Sequence, residues 1–280
     1  MDTKEIAQDT INILKKGKYR TPDGKWIDLS DALERCKQQT RCYNPEQLNA
    51  ISDHVRVKAS EVDRETEIEV NNETTLEGSR RLATGEEFEK IGVLNFASAR
   101  NPGGGFLQGA RAQEESLARS SGLFASLKQC PSYYEYHRSH RSALYSDRMI
   151  WSPGCPVFRT DDGTLLEEYY TVDFITSPAP NAGVIRRNEP ENKSEIEPVL
   201  RERSAKILSL AAHHGNDALV LGAWGCGVFQ NDPERVARIF RNHLGRTGSF
   251  HNRFKKVVFS VLDTSRPGET VIRPFKEMLA

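Results

Sequence analysis

From about residue 60 onward, short apolar runs alternate with segments of helical periodicity. That alternation narrows the possible folds more than any other feature of the chain. Runs at 66–70, 91–96 ("IGVLNF"), 170–176 ("YTVDFIT"), 218–223 ("ALVLGA") and 256–262 ("KVVFSVL") read as strands. Helical patterns fall between them, near 113–128, 197–214, 233–244 and 269–279. Strands separated by helices predict a three-layer α/β domain with a mostly parallel central sheet. The first sixty residues read differently, as an N-terminal helical extension. "TKEIAQDTINILKK" carries Ile6, Ile11, Ile13 and Leu14 near one helix face. "TPDGKWIDL" is a turn with extended flanks. "LSDALERCKQQT" offers Ser30 as N-cap, with Leu33 facing inward. The expected organisation is therefore an extension over 1–60 packed on a domain over 61–280. "RRNEPENKSEIEP" (186–198) is polar and broken by prolines, and is expected to be a surface insertion.

Charge and cysteines limit the classes of partner. Thirty-nine basic residues balance thirty-nine acidic ones. No global field draws the chain to duplex nucleic acid or to an anionic membrane, so an anionic ligand has to be held locally. "MDTKEIAQDT" shows no secretory pattern, and "VVFSVL" is far too short to cross a bilayer. The cysteines, at 36, 42, 130, 155 and 226, are odd in number and contain no C-x-x-C pair. Neither a disulfide framework nor a zinc site is expected, which points to a reducing cytoplasm.

Two loops carry the candidate chemistry. The strand at 91–96 runs into "ASARNPGGGFLQGARAQEE". Ligands of open α/β folds sit at the carboxyl ends of strands, and glycines there let backbone amides approach an oxygen-rich ligand. Three glycines alone serve a plain surface loop equally well. Gln108 and Gln230 stand where a G-x-G-x-x-G pattern needs its third glycine, and no Gly-Lys-Ser/Thr follows. A dinucleotide fold and a P-loop are therefore not expected. Glu114 and Glu115 open the next helix, where acidic residues commonly complement the dipole. Neighbours on a helix point about 100° apart, so the two cannot share one role. The second loop, "GAWGCGVFQND" (222–232), follows the strand at 218–223; Asp232 is a natural N-cap and Pro233 suits the first helical position. A third loop, "TSPAPNAG" (176–183), also ends a strand. Three such loops together predict a single cleft.

Taken together, "GGG" followed by "QEE", "GAWGCGVFQND", "DFITSPAPNAG" and "EIAQDTINILKKGKY" resemble the bacterial-type poly(ADP-ribose) glycohydrolases, which are built on a macrodomain. The resemblance covers nearly the whole chain. It implies cleavage of ribose–ribose O-glycosidic bonds of poly(ADP-ribose), with ADP-ribose as product and no cofactor or metal. On that resemblance Glu115 is the general acid/base, and Glu114 orients ribose hydroxyls. Gly103, Gly104 and Gly105 match the catalytic loop, Asn101 sits where a ribose-contacting Asn is expected, Gln113 is a further substrate-binding residue, and Gly225, Cys226, Gly227, Val228 and Phe229 match the diphosphate loop. A monomeric protein is expected. Two other readings share the pocket: a non-catalytic ADP-ribose-binding macrodomain, which needs no glutamate pair, and a hydrolase of mono-ADP-ribosylated protein.

Overall fold

Burial on both faces shapes the central strand. In "IGVLNF", Val93 and Leu94 are both buried, yet they belong to core clusters on opposite sides of the sheet. A strand covered on both faces reads as an apolar run rather than an alternation. Each such side chain contributes about 1.5–3 kcal/mol when removed from water.

The structure, a computed structural model, describes residues 2–57, 65–85, 87–265 and 269–280. The division expected at residues 60 and 61 lies outside the described residues. Strands β1 (Lys18–Arg20) and β2 (Trp26–Asp28) form a separate hairpin around the turn expected at "TPDGKWIDL". Among the described residues, seven strands make one sheet: β3 (Arg41–Tyr43), β4 (Glu67–Asn71), β5 (Ile91–Phe96), β6 (Met149–Arg159), β7 (Leu165–Ser177), β8 (Ala218–Leu221) and β9 (Lys256–Ser260). Their order is β3-β6-β7-β5-β8-β9-β4. From β7 to β4 every pairing is parallel, whereas β6 is antiparallel to both of its neighbours.

Helices cover both faces. α2 (Ser30–Gln39), α4 (Thr75–Ala83), α5 (Gln113–Ser120), α6 (Leu123–Leu127) and α7 (Pro131–Ser139) bury side chains on one side. α3 (Pro45–Val57), α8 (Ala182–Asn188), α9 (Ile196–His213), α10 (Pro233–Leu244) and α11 (Ile272–Leu279) do so on the other. α1 (Thr3–Lys16) packs Ala7 against Phe106 and Ala118, beside the glycine loop. α10 shows how local sequence sets an element. The Asp232 carboxylate accepts from Glu234 N, Pro233 takes the first position, and Val236, Ala237, Ile239, Phe240 and Leu244 form the buried stripe.

Several expectations need correction. The helix expected over 113–128 is two helices. Ser121 between them is extended and bridges to Val157, and Gly122 lies against Leu33, Pro156 and Cys155. Ser30 is the first helical residue rather than the N-cap, and its N–H is taken by the Asp28 carboxylate. The polar segment 186–198 is exposed over most of its length but ordered, as the end of α8, a 3-10 turn over Pro190–Glu195 and the start of α9.

The cysteine expectation is corrected most sharply. Cys42 on β3 and Cys130 at the head of α7 form a disulfide across 88 residues of sequence. Cysteine usage therefore does not point to a reducing compartment. No described helix is long and apolar enough to cross a membrane. Cys36 and Cys155 are free and buried. A bridge closing so long a loop removes much denatured-state entropy, and such bonds typically contribute about 2–4 kcal/mol. Reductant should therefore lower the melting temperature of the wild-type protein, and Cys42→Ser should lower it similarly and abolish the response to reductant. Melting curves of the two proteins with and without reductant check this; equal responses would remove the bridge from the account.

Candidate active site

The two glutamates enter the protein together. Both lie in the first turn of α5 and both are buried, Glu114 at 2% exposure and Glu115 at 9%. Two adjacent buried carboxylates need donors, and the end of β5 and the loop after it supply them. Ser98 N donates to Glu114 Oε2 at 2.7 Å, and Asn95 Nδ2 reaches its Oε1 at 3.3 Å. Gly105 N donates to Glu115 Oε1 at 2.9 Å. Glu115 Oε2 has no hydrogen-bond partner within the protein. The glycine loop can come this close only because Gly104 has no side chain. Its φ is +59°, and a Cβ there would stand 2.2 Å from Glu115 Oε1.

Gln113 locks the helix to the strand. Its carboxamide accepts from Phe96 N and donates to Leu94 O and Thr75 Oγ1. Every polar atom of that side chain thus has a protein partner, which makes Gln113 a brace for the first turn of α5. α5 has no side-chain cap, since Ala112 occupies the N-cap position. Among the described residues, the N–H groups of Gln113, Glu114 and Glu115 find no protein acceptor.

Burial dominates the electrostatics. Desolvation, with the charge of Glu115 adding to it, pushes the Glu114 carboxyl up to about 8, against the pull of the Ser98 and Asn95 donors. Turning the Asn95 carboxamide over would let its oxygen accept from a protonated Glu114 and from Thr176 Oγ1.

The loop after β8 is built by anchors on its far side. Trp224 is buried and donates from Nε1 to Ser177 O at the end of β7. Asn231 Nδ2 bridges Pro180 O and Gly225 O, and Gly183 N donates to Phe229 O. The 176–183 loop thus backs the second loop, and only Ala179 of it reaches the cleft. Gly225, at φ +74°, packs so closely on Ala179 and Asn231 that a Cβ would stand 2.5 Å from Ala179 Cβ. Among the described residues, the N–H groups of Gly225, Gly227, Val228 and Phe229 donate to no protein acceptor. Four free amides along one turn suit an anion's oxygens.

One cleft of about 610 Å³ joins these parts. Glu114, Glu115, Gln113 and the whole stretch Gly225–Phe229 line it, together with Phe96, Thr75 and Asp161. Phe229 is half-buried and lies 6.0 Å from the Tyr145 ring. Burial pushes the Cys226 thiol well above its ordinary range, so it is no nucleophile. Gly103–Gly105 stand behind Glu115 without lining the cleft; Asn101 is exposed, and its carbonyl accepts from Gly104 N. Sequence reasoning missed Asn95 and Ser98. The signal was available, because both sit at the carboxyl end of the strand that carries the glycine loop.

Residues 7–160 match the family described as microbial-type PARG, catalytic domain. The chain belongs to that family. It superposes on poly(ADP-ribose) glycohydrolase from Thermomonospora curvata with a TM-score of 0.94 and 48% identity, over 99% of this chain and 98% of that one. The Thermomonospora curvata enzyme bound to the inhibitor ADP-HPD gives 0.91 and 48%, over 98% of each chain. Poly(ADP-ribose) glycohydrolase from Deinococcus radiodurans in complex with ADP-ribose gives 0.82 and 43%, over 88% of this chain and 96% of that one. No curated relative matches the chain. The fold is thus macrodomain-like, as the sequence resemblance implies, and the chain is a glycosidase by family.

The raised Glu114 carboxyl leaves a signature in stability. Between the ordinary glutamate range and about 8 the folded protein holds a proton that the unfolded chain releases. Stability from this group is therefore full at low pH and is lost as pH rises toward 8. Glu114→Gln removes the titration, so between pH 5 and 8.5 the variant should lose less stability than wild type, by on the order of a few kcal/mol. Denaturant titrations at the two pH values check this, and parallel declines would refute a protonated Glu114.

Proposed function

We propose that this chain hydrolyses the ribose–ribose O-glycosidic bonds of poly(ADP-ribose) and releases ADP-ribose, with Glu115 as general acid/base. The observation that carries the reading is the arrangement of Glu115: one oxygen is fixed by Gly105 N, and the other lies without a partner beside the cleft that the diphosphate loop completes.

In this reading the free amides of Gly225–Phe229 hold the diphosphate of the terminal unit, and Phe229 lies against its sugar or base. C1″ of the terminal ribose then comes to Glu115. The negative diphosphate and the loss of water favour a proton on the carboxyl pair. Glu115 gives its proton to the leaving ribose oxygen as the C1″–O bond breaks. The remaining cation is oxocarbenium-like, and nearby phosphate charge stabilises it. Glu115, now a carboxylate, takes a proton from water as the water oxygen bonds to C1″. Glu114, braced by Ser98 and Asn95, positions the ribose hydroxyls. We also propose a cytoplasmic, monomeric protein in which residues 1–60 form an extension of the catalytic domain.

Glu115→Gln keeps shape and hydrogen bonding but removes the transferable proton. Release of ADP-ribose from auto-modified polymer should fall at least about a hundredfold, with ADP-ribose binding retained in calorimetry. Near-normal turnover by this variant would end the assignment.

The diphosphate loop has its own test. A Cβ at Gly227 meets no atom within 4 Å and the backbone there is not left-handed, so Gly227→Glu fits the fold. Its effect on stability should stay within about 0.5 kcal/mol. Its carboxylate would stand where phosphate is to bind, so ADP-ribose binding and hydrolysis should both be lost. A variant with an unchanged melting temperature that still binds ADP-ribose would move the diphosphate elsewhere.

A further inference from the structure

The cleft would hold a polyanionic substrate, yet the titratable side chains on its walls are mostly carboxyls. Glu73, Glu114, Glu115 and Asp161 all line it. Among the described residues Arg111 is the single cation on its walls. The guanidinium is exposed, and no described carboxylate pairs with it. By contrast Arg119, the arginine of α5 itself, is buried and spent on Ala110 O and Ser116 Oγ.

The position of Arg111 separates it from the diphosphate loop. Leu117 of α5 packs in the core on one face of the sheet, while Trp224, Cys226 and Phe229 pack with the core on the opposite face. Arg111 immediately precedes the uncapped start of α5, where the N–H groups of Gln113, Glu114 and Glu115 have no protein acceptor. An unpaired guanidinium beside the positive end of a helix makes a local electropositive point on the α5 side of the glutamates. The diphosphate of the bound unit is already provided for by the amides across the cleft.

We propose that Arg111 contacts a phosphate of the leaving part of the substrate, the ADP-ribose unit on the other side of the scissile bond. It thereby sets a preference for polymer over substrates whose leaving group carries no phosphate. This inference rests on the glycohydrolase reading above. An exposed charge pair is worth about 0.2–1 kcal/mol, so its loss shows as a change of at most about fivefold.

The test compares two substrates for wild type, Arg111→Ala, Arg111→Lys and Arg111→Glu. One is auto-modified poly(ADP-ribose); the other is an aryl glycoside of ADP-ribose with nitrophenol as leaving group. At low salt, Arg111→Ala should raise KM for polymer about three- to fivefold and leave kcat unchanged. Arg111→Glu should raise KM further, and Arg111→Lys should largely restore it. Kinetics on the aryl glycoside and calorimetric binding of ADP-ribose should match wild type in all three variants. High salt should erase the differences on polymer. Equal effects on both substrates, or none on polymer, would overturn the proposal. Weakened ADP-ribose binding would do so as well, by placing Arg111 on the bound unit's own phosphates. A wild-type protein that cleaves neither substrate overturns the glycohydrolase reading and this inference together.

Discussion

Two neighbouring carboxylates buried at the start of one helix are an electrostatic liability, and much of the site exists to contain it. Both are largely buried, so the oxygens turned away from the cleft need fixed donors. The chain meets them with backbone amides from a single loop, Ser98 N for Glu114 and Gly105 N for Glu115. That solution demands a backbone within hydrogen-bond reach of a side chain, and the demand falls on Gly104. Any Cβ at that position would occupy the place of a Glu115 oxygen. The triple glycine and the glutamate pair are thus one device, and neither has its function without the other.

The same economy organises the other wall. The loop after β8 keeps four amides unpaired on its cleft side because its remaining polar groups are satisfied behind it, by Trp224, Asn231 and Gly183. A loop whose amides are free is costly unless its shape is imposed from outside. The 176–183 segment imposes it. Preorganisation of this kind places the ordering cost in folding rather than in binding.

The legible parts of the sequence were those with local causes. "IGVLNF" predicts β5 residue for residue, and Asp232–Pro233 fix the start of α10 by cap chemistry. The remainder depended on tertiary contacts. β6, "MIWSPGCPVFR", contains two prolines and a glycine that argue against a strand; its register break between Ser152 and Cys155 accommodates Pro153 and Gly154, while Pro156 stays in register with Thr171. α7, "PSYYEYHRS", has poor helix formers and is held by burial of Tyr133, Tyr134 and His137. α4 has a capping box at Thr74 and Glu77 that could have been read, but it lies in a short segment whose apolar stripe is thin. The Cys42–Cys130 bridge joins positions too distant for any spacing rule. The site was legible as motifs, whereas its braces were not. Asn95, Gln113 and Trp224 act through contacts that only the assembled sheet creates.

The first helix shows the same dependence from a greater distance in sequence. Thr10 Oγ1 donates to Arg119 O at the end of α5, and Thr3 Oγ1 donates to Gly109 O in the glycine loop. Ala7 packs with Phe106 and Ala118, and Asp9 pairs with the buried Arg159 of β6. α1 therefore touches the glycine loop, α5 and β6. A glycine-rich loop has the largest conformational entropy to lose, so it needs such restraint to hold Gly105 N on a carboxylate. The glycines let the backbone approach Glu115, and α1 keeps it there.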